Sequence, residues 1–262
     1  MPASDWSDVD ASARPARFVT GLDQLRADPF FKAQKTRLLD AMQLRGAERV
    51  VDIGCGTGDD IAEIASLGGH VAIGVERAAT LLDEARRRHT GPAFLAGDAR
   101  ALPLRDASLD CVRVDRVLQH LAGAEAALCE WRRVVRPGGA LVVFEPDLVT
   151  ARIEGMDAAA AATIVGWRAG TRPGAAGVHR MAGALAAAGF NDVRVEPVGL
   201  ELDDLRRADG MMGLPEWGES AAHAGLFGPE DARRWRDDAW SAWERGILRY
   251  SCTYLHGRAR AG

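Results

Sequence analysis

Between residues 48 and 146 short apolar runs alternate with amphipathic stretches. Strands are predicted at 50–54 (VVDIG), 70–76 (HVAIGVE), 93–98 (AFLAGD), 109–115 (LDCVRVD) and 140–146 (ALVVFEP), with helices at 59–67, 78–88 and 123–135. Such alternation is the signature of a parallel sheet covered by helices on both faces. The runs 71–75 and 141–144 lack strict period-two alternation, as expected of strands buried on both sides. Ahead of this region, residues 18–42 carry helix-like apolar spacing interrupted at Asp28 and Pro29, which reads as two helices. Residues 1–16, rich in Ser, Asp, Ala and Pro, read as a frayed end. After Glu145 come an Ala-rich stretch to Trp167, a loop at 171–177 (TRPGAAG), a helix at 179–188 and a turn at 188–190. A strand at 193–198 (VRVEPV), a Trp-rich helical section and a last strand at 247–257 complete the chain. The expectation is an α/β protein with a mostly parallel seven-stranded sheet and helices on both faces. An N-terminal helical cap is expected at 1–46 and a main domain at 47–262, with helical lid segments near 148–178 and 203–245.

Composition narrows the function classes. The chain has 262 residues, 47% of them hydrophobic, enough for one large α/β domain or two small ones. Its formal net charge of -4 gives no bias toward nucleic acid or an anionic membrane, and neither is expected as a partner. Cys55, Cys111, Cys129 and Cys252 form no CxxC pair, which disfavours a disulfide framework and a zinc site; no metal is expected, and a reducing cytoplasm fits. The first residues, MPASDWSDVDASARPARF, lack the basic start and apolar run of a signal peptide, and no window approaches ~18 apolar residues.

The chemistry begins at 54–58. Gly54, Gly56 and Gly58 follow a buried strand and allow positive φ and close backbone approach, while Asp59 is placed to N-cap the next helix. The spacing is GxGxG, not the GxGxxG that cradles a pyrophosphate, and Asp59 is an awkward neighbour for one. Glu76 ends the second strand, where a carboxylate can accept from both hydroxyls of a ribose, in NAD or S-adenosylmethionine alike. Asp98, after the third strand, is placed to accept from an adenine amino group, and Ala99 offers a backbone N–H to the ring. Ligands of open α/β sheets bind beyond the carboxyl ends of the strands, which brings Asp115, Arg116, Gln119 and His120 near the same ligand.

With VVDIGCGTG, GVERA, GDARALP and LCEWRRVVRPGGALVVFEPD in place, the sequence resembles the class I S-adenosylmethionine-dependent methyltransferases, in particular their small-molecule (natural-product or quinone) branch. The resemblance is strong over residues 48–147 and loose elsewhere. It implies a Rossmann-like class I methyltransferase fold, S-adenosylmethionine as cofactor and S-adenosylhomocysteine as product, within secondary metabolism. By this resemblance Gly54 and Gly56 back onto the methionine and ribose, Glu76 with neighbouring Arg77 takes the ribose, and Asp98 and Ala99 take the adenine. Asp115 and Arg116 meet the methionine moiety through the backbone. The RPGG segment, 136–139, is then a turn that touches no ligand, as Pro137 and the two glycines suit.

Methyl transfer from a sulfonium is an in-line displacement, so collinear positioning and exclusion of water matter more than a catalytic triad. His120 is a candidate general base, against the plainer reading of a packed or capping histidine. Gln119 is a candidate to orient the substrate. Trp167, Arg168, His179, Arg180, Met211, Met212 and Trp217 populate the covering segments, with Trp167 and Arg180 as substrate candidates; aromatics there suit an apolar or aromatic small molecule. Trp235, Trp240 and Trp243, at helical spacing, suit the lid's own core. Phe18, Gln34, Lys35 and Arg37 are candidates to close over the cofactor carboxylate, against a solvated helix face. Among other functions, the segment after strand four, DRVLQH, lacks the Asn/Asp-Pro-Pro-aromatic motif of nucleic-acid amino-methyltransferases, and no Pro-Cys pair exists for the cytosine type. An NAD-dependent oxidoreductase and a non-catalytic nucleoside-binding module are the alternatives. An aminopropyl transferase would call for a more acidic cleft than Arg116 and His120 provide.

Overall fold

The computed structural model describes residue 6 and residues 8–262. Seven strands, β1 (Arg49–Ile53), β2 (Val71–Glu76), β3 (Ala93–Ala96), β4 (Leu109–Asp115), β5 (Val135–Glu154), β6 (Phe190–Leu202) and β7 (Arg249–Ala261), form one sheet in the order β3-β2-β1-β4-β5-β7-β6. All pairings are parallel except those of β7, which runs antiparallel to both β5 and β6. The order reverses between β1 and β4, where a crevice opens at the carboxyl ends.

Successive strand residues enter opposite cores, which is why the apolar runs do not alternate. Val50, Val142 and Phe144 pack on one face with Phe31, Ile61, Ile64 and Ile164. Val51, Leu141 and Val143 pack on the other with Leu128, Trp131 and Leu185. The second layer is made by α5 (Ala124–Val134), α7 (Ala175–His179) and α8 (Met181–Ala187); the first includes α2 (Pro29–Met42), α3 (Asp59–Ser66) and α6 (Ala158–Gly170). Fully buried Trp131 satisfies its ring N–H by donating to the Ala99 carbonyl at 2.9 Å, which ties α5 to the loop after β3.

The two N-terminal helices, α1 (Ala16–Ala27) and α2, break where expected: Asp28 N-caps α2 by accepting from Phe30 N–H at 2.9 Å, and Pro29 takes the first helical position. The segment read as a frayed end is different. Residues 1–5 and 7 lie outside the described part, but Val9 is buried and Asp10 caps α4 (Ala79–Arg88) from a distance, accepting from Ala79 and Thr80 N–H at 2.7 and 3.0 Å. Asp59 is not an N-cap: left-handed Gly58 takes that position, and the Asp59 carboxylate accepts from Thr57 Oγ1 at 2.6 Å.

RPGG is bulged out of the paired edge within the span of β5. Leu109 pairs with Val135 but Cys111 with Ala140, so residues 136–139 have no counterpart on β4. Gly139 is required there, since a Cβ would stand 2.6 Å from Val135 Cγ1 and 2.9 Å from the Asp110 carbonyl. The segment assigned to a lid from residue 148 begins as sheet, because β5 continues to Glu154. The loop and helix expected over 171–188 become α7 and α8, separated at Arg180. From 203 onward the chain is helical in α9 (Leu205–Met212), α10 (Trp217–His223) and α11 (Pro229–Glu244). Trp235 is buried there, and Trp240 and Trp243 pack on the same core.

Candidate functional site

The carboxyl ends of β1, β2 and β4 and the loop after β3 open into a cavity of about 490 Å³, roofed by α6, α9 and α10. That volume suits a small-molecule site. At one end lie Gly54, Gly56, Glu76, Arg77, Asp98 and Ala99. Gly54 has φ +70°, and a Cβ on it would stand 2.4 Å from Val117 Cγ2, so only glycine lets the loop lie against the segment after β4. Glu76 holds the loop shut: its carboxylate accepts from Gly56 N–H at 3.0 Å, Arg77 N–H at 2.8 Å and Ala78 N–H at 2.9 Å. Burial pushes its pKa up against these three donors. Asp98 is gripped by the Arg100 guanidinium at 2.7 and 3.0 Å, which lowers its pKa to about 2 despite partial burial.

Beneath the loop sits an ion cluster that sequence reasoning missed. The Arg113 guanidinium donates to Asp52 and Asp60 at 2.7 Å and to Asp115 at 3.0 Å. Lys35 donates to Asp115 at 2.9 Å and pairs with Asp60, which also pairs with Arg26, and Arg116 donates to Asp115 at 2.9 Å. Burial opposes the charge on Asp115, but Lys35, Arg116 and Arg113 outweigh it and hold its pKa well below the carboxylate range. Among the described residues Asp52 has only Arg113 as an ion-pair partner, and burial pushes its pKa to about 6. The cluster pins β1, β4, α2 and α3 around the loop. Arg116 (φ +59°) also lies over the Phe31 ring, 4.7 Å from its centroid.

Gln119 and His120 reach the cavity from a 3-10 turn, Leu118–His120. A second unanticipated acid sets that turn. Glu145, fully buried on β5, accepts from Val117 and Leu118 N–H at 2.6 Å, and burial pushes its pKa up to about 8. Gly174 N–H donates to the Gln119 carbonyl at 3.0 Å and closes the turn from the far side.

The opposite end is lined by Leu148, Val165, Met211, Met212, Trp217 and Tyr250, with Arg168 and Arg172 among them. Two substrate candidates are not brought there. Trp167 turns away from the cavity and packs on the sheet-side core, leaving its neighbour Arg168 facing in. Arg180 is exposed at the junction of α7 and α8. His179 pairs with Asp147 at 2.8 Å. Of the N-terminal candidates, Phe18 is buried beside Val9 and Leu81, Gln34 Oε1 accepts from His256 Nε2 at 2.9 Å, Lys35 belongs to the ion cluster and Arg37 pairs with Glu196. These side chains fasten α1 and α2 to the domain. Leu22 and Leu25 of α1 and Phe31 of α2 line the cavity instead.

Comparison with known proteins places this geometry. Residues 51–143 match the family described as "Methyltransferase domain". An uncharacterized 37.1 kDa protein in a transposon of Streptomyces fradiae is 37% identical over 227 residues, covering 84% of this chain and 65% of the relative. A demethylmenaquinone methyltransferase of Beutenbergia cavernae is 42% identical over 107 residues, 41% of this chain and 44% of the relative. The chain thus spans less than two thirds of the length of each. In fold, it is similar to a phosphoethanolamine N-methyltransferase of Haemonchus contortus in complex with S-adenosyl-L-methionine, with a TM-score of 0.64, 16% identity and coverage of 98% of this chain and 60% of the other. Residues 51–143 are thus similar to a methyltransferase domain, and the seven-stranded sheet has the fold of solved class I methyltransferases.

Proposed function

We propose that the chain transfers a methyl group from S-adenosylmethionine to an O, N or C atom of a small apolar or aromatic metabolite. The observation that carries this reading is the arrangement of acids around the glycine loop. Glu76 and Asp98 line one wall of the cavity, a diol acceptor and an amino acceptor for one nucleoside. The first turn of α3, where a dinucleotide's pyrophosphate would sit, carries Asp59 and Asp60 instead. These carboxylates fill that place and take up the nearby cations, Asp59 pairing with Arg88 and Asp60 with Arg113 and Lys35, which disfavours a pyrophosphate and so NAD.

The residues present fit such a cofactor. Glu76 keeps lone pairs beyond its backbone bonds, Asp98 is held ionised, and Leu81 and Leu121 supply apolar contact for a purine. Gly54, Gly56 and the segment 115–117 would hold the amino-acid portion. When bound, the cofactor supplies an electrophilic methyl group whose bond to sulfur breaks as the bond to the substrate forms, leaving S-adenosylhomocysteine. The chain's own part is to align and enclose the substrate. Met211, Met212, Trp217 and Tyr250 give it an apolar wall, and Gln119 presents a polar group from a turn fixed by Glu145. His120, on the same turn, is placed to receive a proton from an O–H or N–H nucleophile. One relative is named a demethylmenaquinone methyltransferase, and a small-molecule substrate rather than nucleic acid fits a roofed cavity. No helix among the described residues is long and apolar enough to cross a membrane, and four unpaired cysteines suit a cytoplasmic location.

The test is incubation of the purified chain with methyl-labelled S-adenosylmethionine and a metabolite panel weighted toward phenols, quinols and aromatic amines. Label in an organic product supports the reading. Retention of all label in the donor, with NAD bound tightly, would replace it with the oxidoreductase alternative.

A further inference from the structure

Among the described residues, the carboxylates that line the cavity, Glu76, Asp98 and Asp115, all come from the β2, β3 and β4 ends of the sheet. The wall built by α6, α9, α10 and the start of β7 contributes none, yet it holds two guanidiniums, Arg168 and Arg172. Arg168 is the informative one. It is part-buried on α6 and lies flat on the Trp217 ring, with its guanidinium carbon 3.9 Å from the centroid. The Trp217 N–H donates to the Met212 carbonyl at 2.9 Å, so the platform is fixed. Among the described residues, none gives the Arg168 guanidinium a hydrogen-bond acceptor or a carboxylate partner. The charged group acting on it is the like-charged Arg172, with Tyr250 alongside. Burial, and then Arg172, pull its pKa down to about 9, and it remains cationic at neutral pH. The contrast with Arg113 and Arg116, which carry buried carboxylate partners, is plain.

A guanidinium has five N–H donors in one plane. Stacking on an aromatic ring occupies a face and leaves the donor edge open, and an edge of that shape matches a carboxylate in bidentate fashion. We propose, building on the methyltransferase reading, that Arg168 on its Trp217 platform recognises a carboxylate on the methyl acceptor, so that the substrate is an aromatic or apolar carboxylic acid. Apolar contacts from Val165, Met211 and Met212 receive the body of such a molecule, and the carboxylate directs the opposite end toward His120 and the loop. The charge is supplied by the ligand where the described residues supply no acid.

The test uses calorimetry on the chain saturated with S-adenosylhomocysteine, titrated with 2-naphthoate against 2-naphthamide and with 3-phenylpropanoate against 3-phenylpropanamide. Each acid is expected to bind at least about tenfold tighter than its amide, the scale of a charge-assisted hydrogen bond. Arg168→Gln should remove the preference and Arg168→Lys restore part of it, with affinity for S-adenosylhomocysteine unchanged in both. Amides binding as well as acids in the unmodified chain, no binding of either acid at roughly 10 mM, or a preference that survives Arg168→Gln would each overturn the proposal. The wild-type comparison stands even if a variant folds poorly. Failure to bind S-adenosylhomocysteine would count against the donor reading alone, and the same acid and amide pairs titrated into the unloaded chain would still decide the role of Arg168.

Discussion

Replacing Glu76 by alanine removes one carboxylate from two tasks at once. In the free protein it ends the bonds from Gly56, Arg77 and Ala78 N–H, at 3.0, 2.8 and 2.9 Å, that hold the glycine loop against the end of β2. In the complex it removes the acceptor assigned to the ribose hydroxyls. Water can satisfy the freed N–H groups at the cavity wall, so the cost to folding is modest, whereas the ribose hydroxyls lose the carboxylate assigned to them. A hydrogen bond to a charged group contributes ~1.5–3 kcal/mol, which corresponds to roughly 10- to 150-fold in affinity if one net bond is lost. Glu76→Gln keeps one oxygen acceptor and should fall between. The assay is calorimetric titration with S-adenosylhomocysteine, beside a urea melt showing that the variant remains folded. Affinity within about twofold of wild type in a folded Glu76→Ala protein, against the size of even one such bond, would refute the placement of the ribose.

Other outcomes follow from the buried charges. Arg113→Met leaves Asp52 without a cation, while Asp60 and Asp115 keep Lys35, so about 3–5 kcal/mol of stability should be lost at neutral pH by urea denaturation. Adding Asp52→Asn should recover part of that loss, and a double variant no more stable than the single would refute the assignment. Glu145 has a folded pKa raised to about 8, above its unfolded value near 4.5. The folded state therefore holds the proton more tightly: the stability it contributes is complete below about pH 4.5 and is lost as the pH rises through 8. Urea midpoints from pH 5 to 8.5 should fall more steeply for wild type than for Glu145→Gln, and parallel curves would contradict the burial argument.

How much of this was legible in the chain depends on the range of the interactions. The strands after Glu48 and the break at Asp28–Pro29 could be read because they are written in local periodicity and capping. Glu76 and Asp98 could be placed because each ends its own strand or the loop after it. The Arg113–Asp52 pair could not, since its partners are 61 residues apart and an arginine inside CVRVD looks like any strand residue. Asp10 capping α4 across 69 residues was hidden for the same reason, and so the N-terminal segment looked frayed. In α6 the run of alanines supplies no polar face, so nothing local says which of Trp167 and Arg168 turns inward; the sheet-side core takes the indole and leaves the guanidinium to the cavity. Glu145 sits between Phe144 and Pro146 in the buried run 139–147 of β5, and only the folded turn at 117–119 reveals what it holds.

The central claim is that the glycine loop with Glu76 and Asp98 binds an adenosyl sulfonium compound and not a dinucleotide. Calorimetric titration of the unmodified chain with S-adenosylmethionine, S-adenosylhomocysteine and NAD tests it most directly. Saturable one-to-one binding of both adenosyl compounds with no heat from NAD is expected. Tight NAD binding with no response to either adenosyl compound would contradict it.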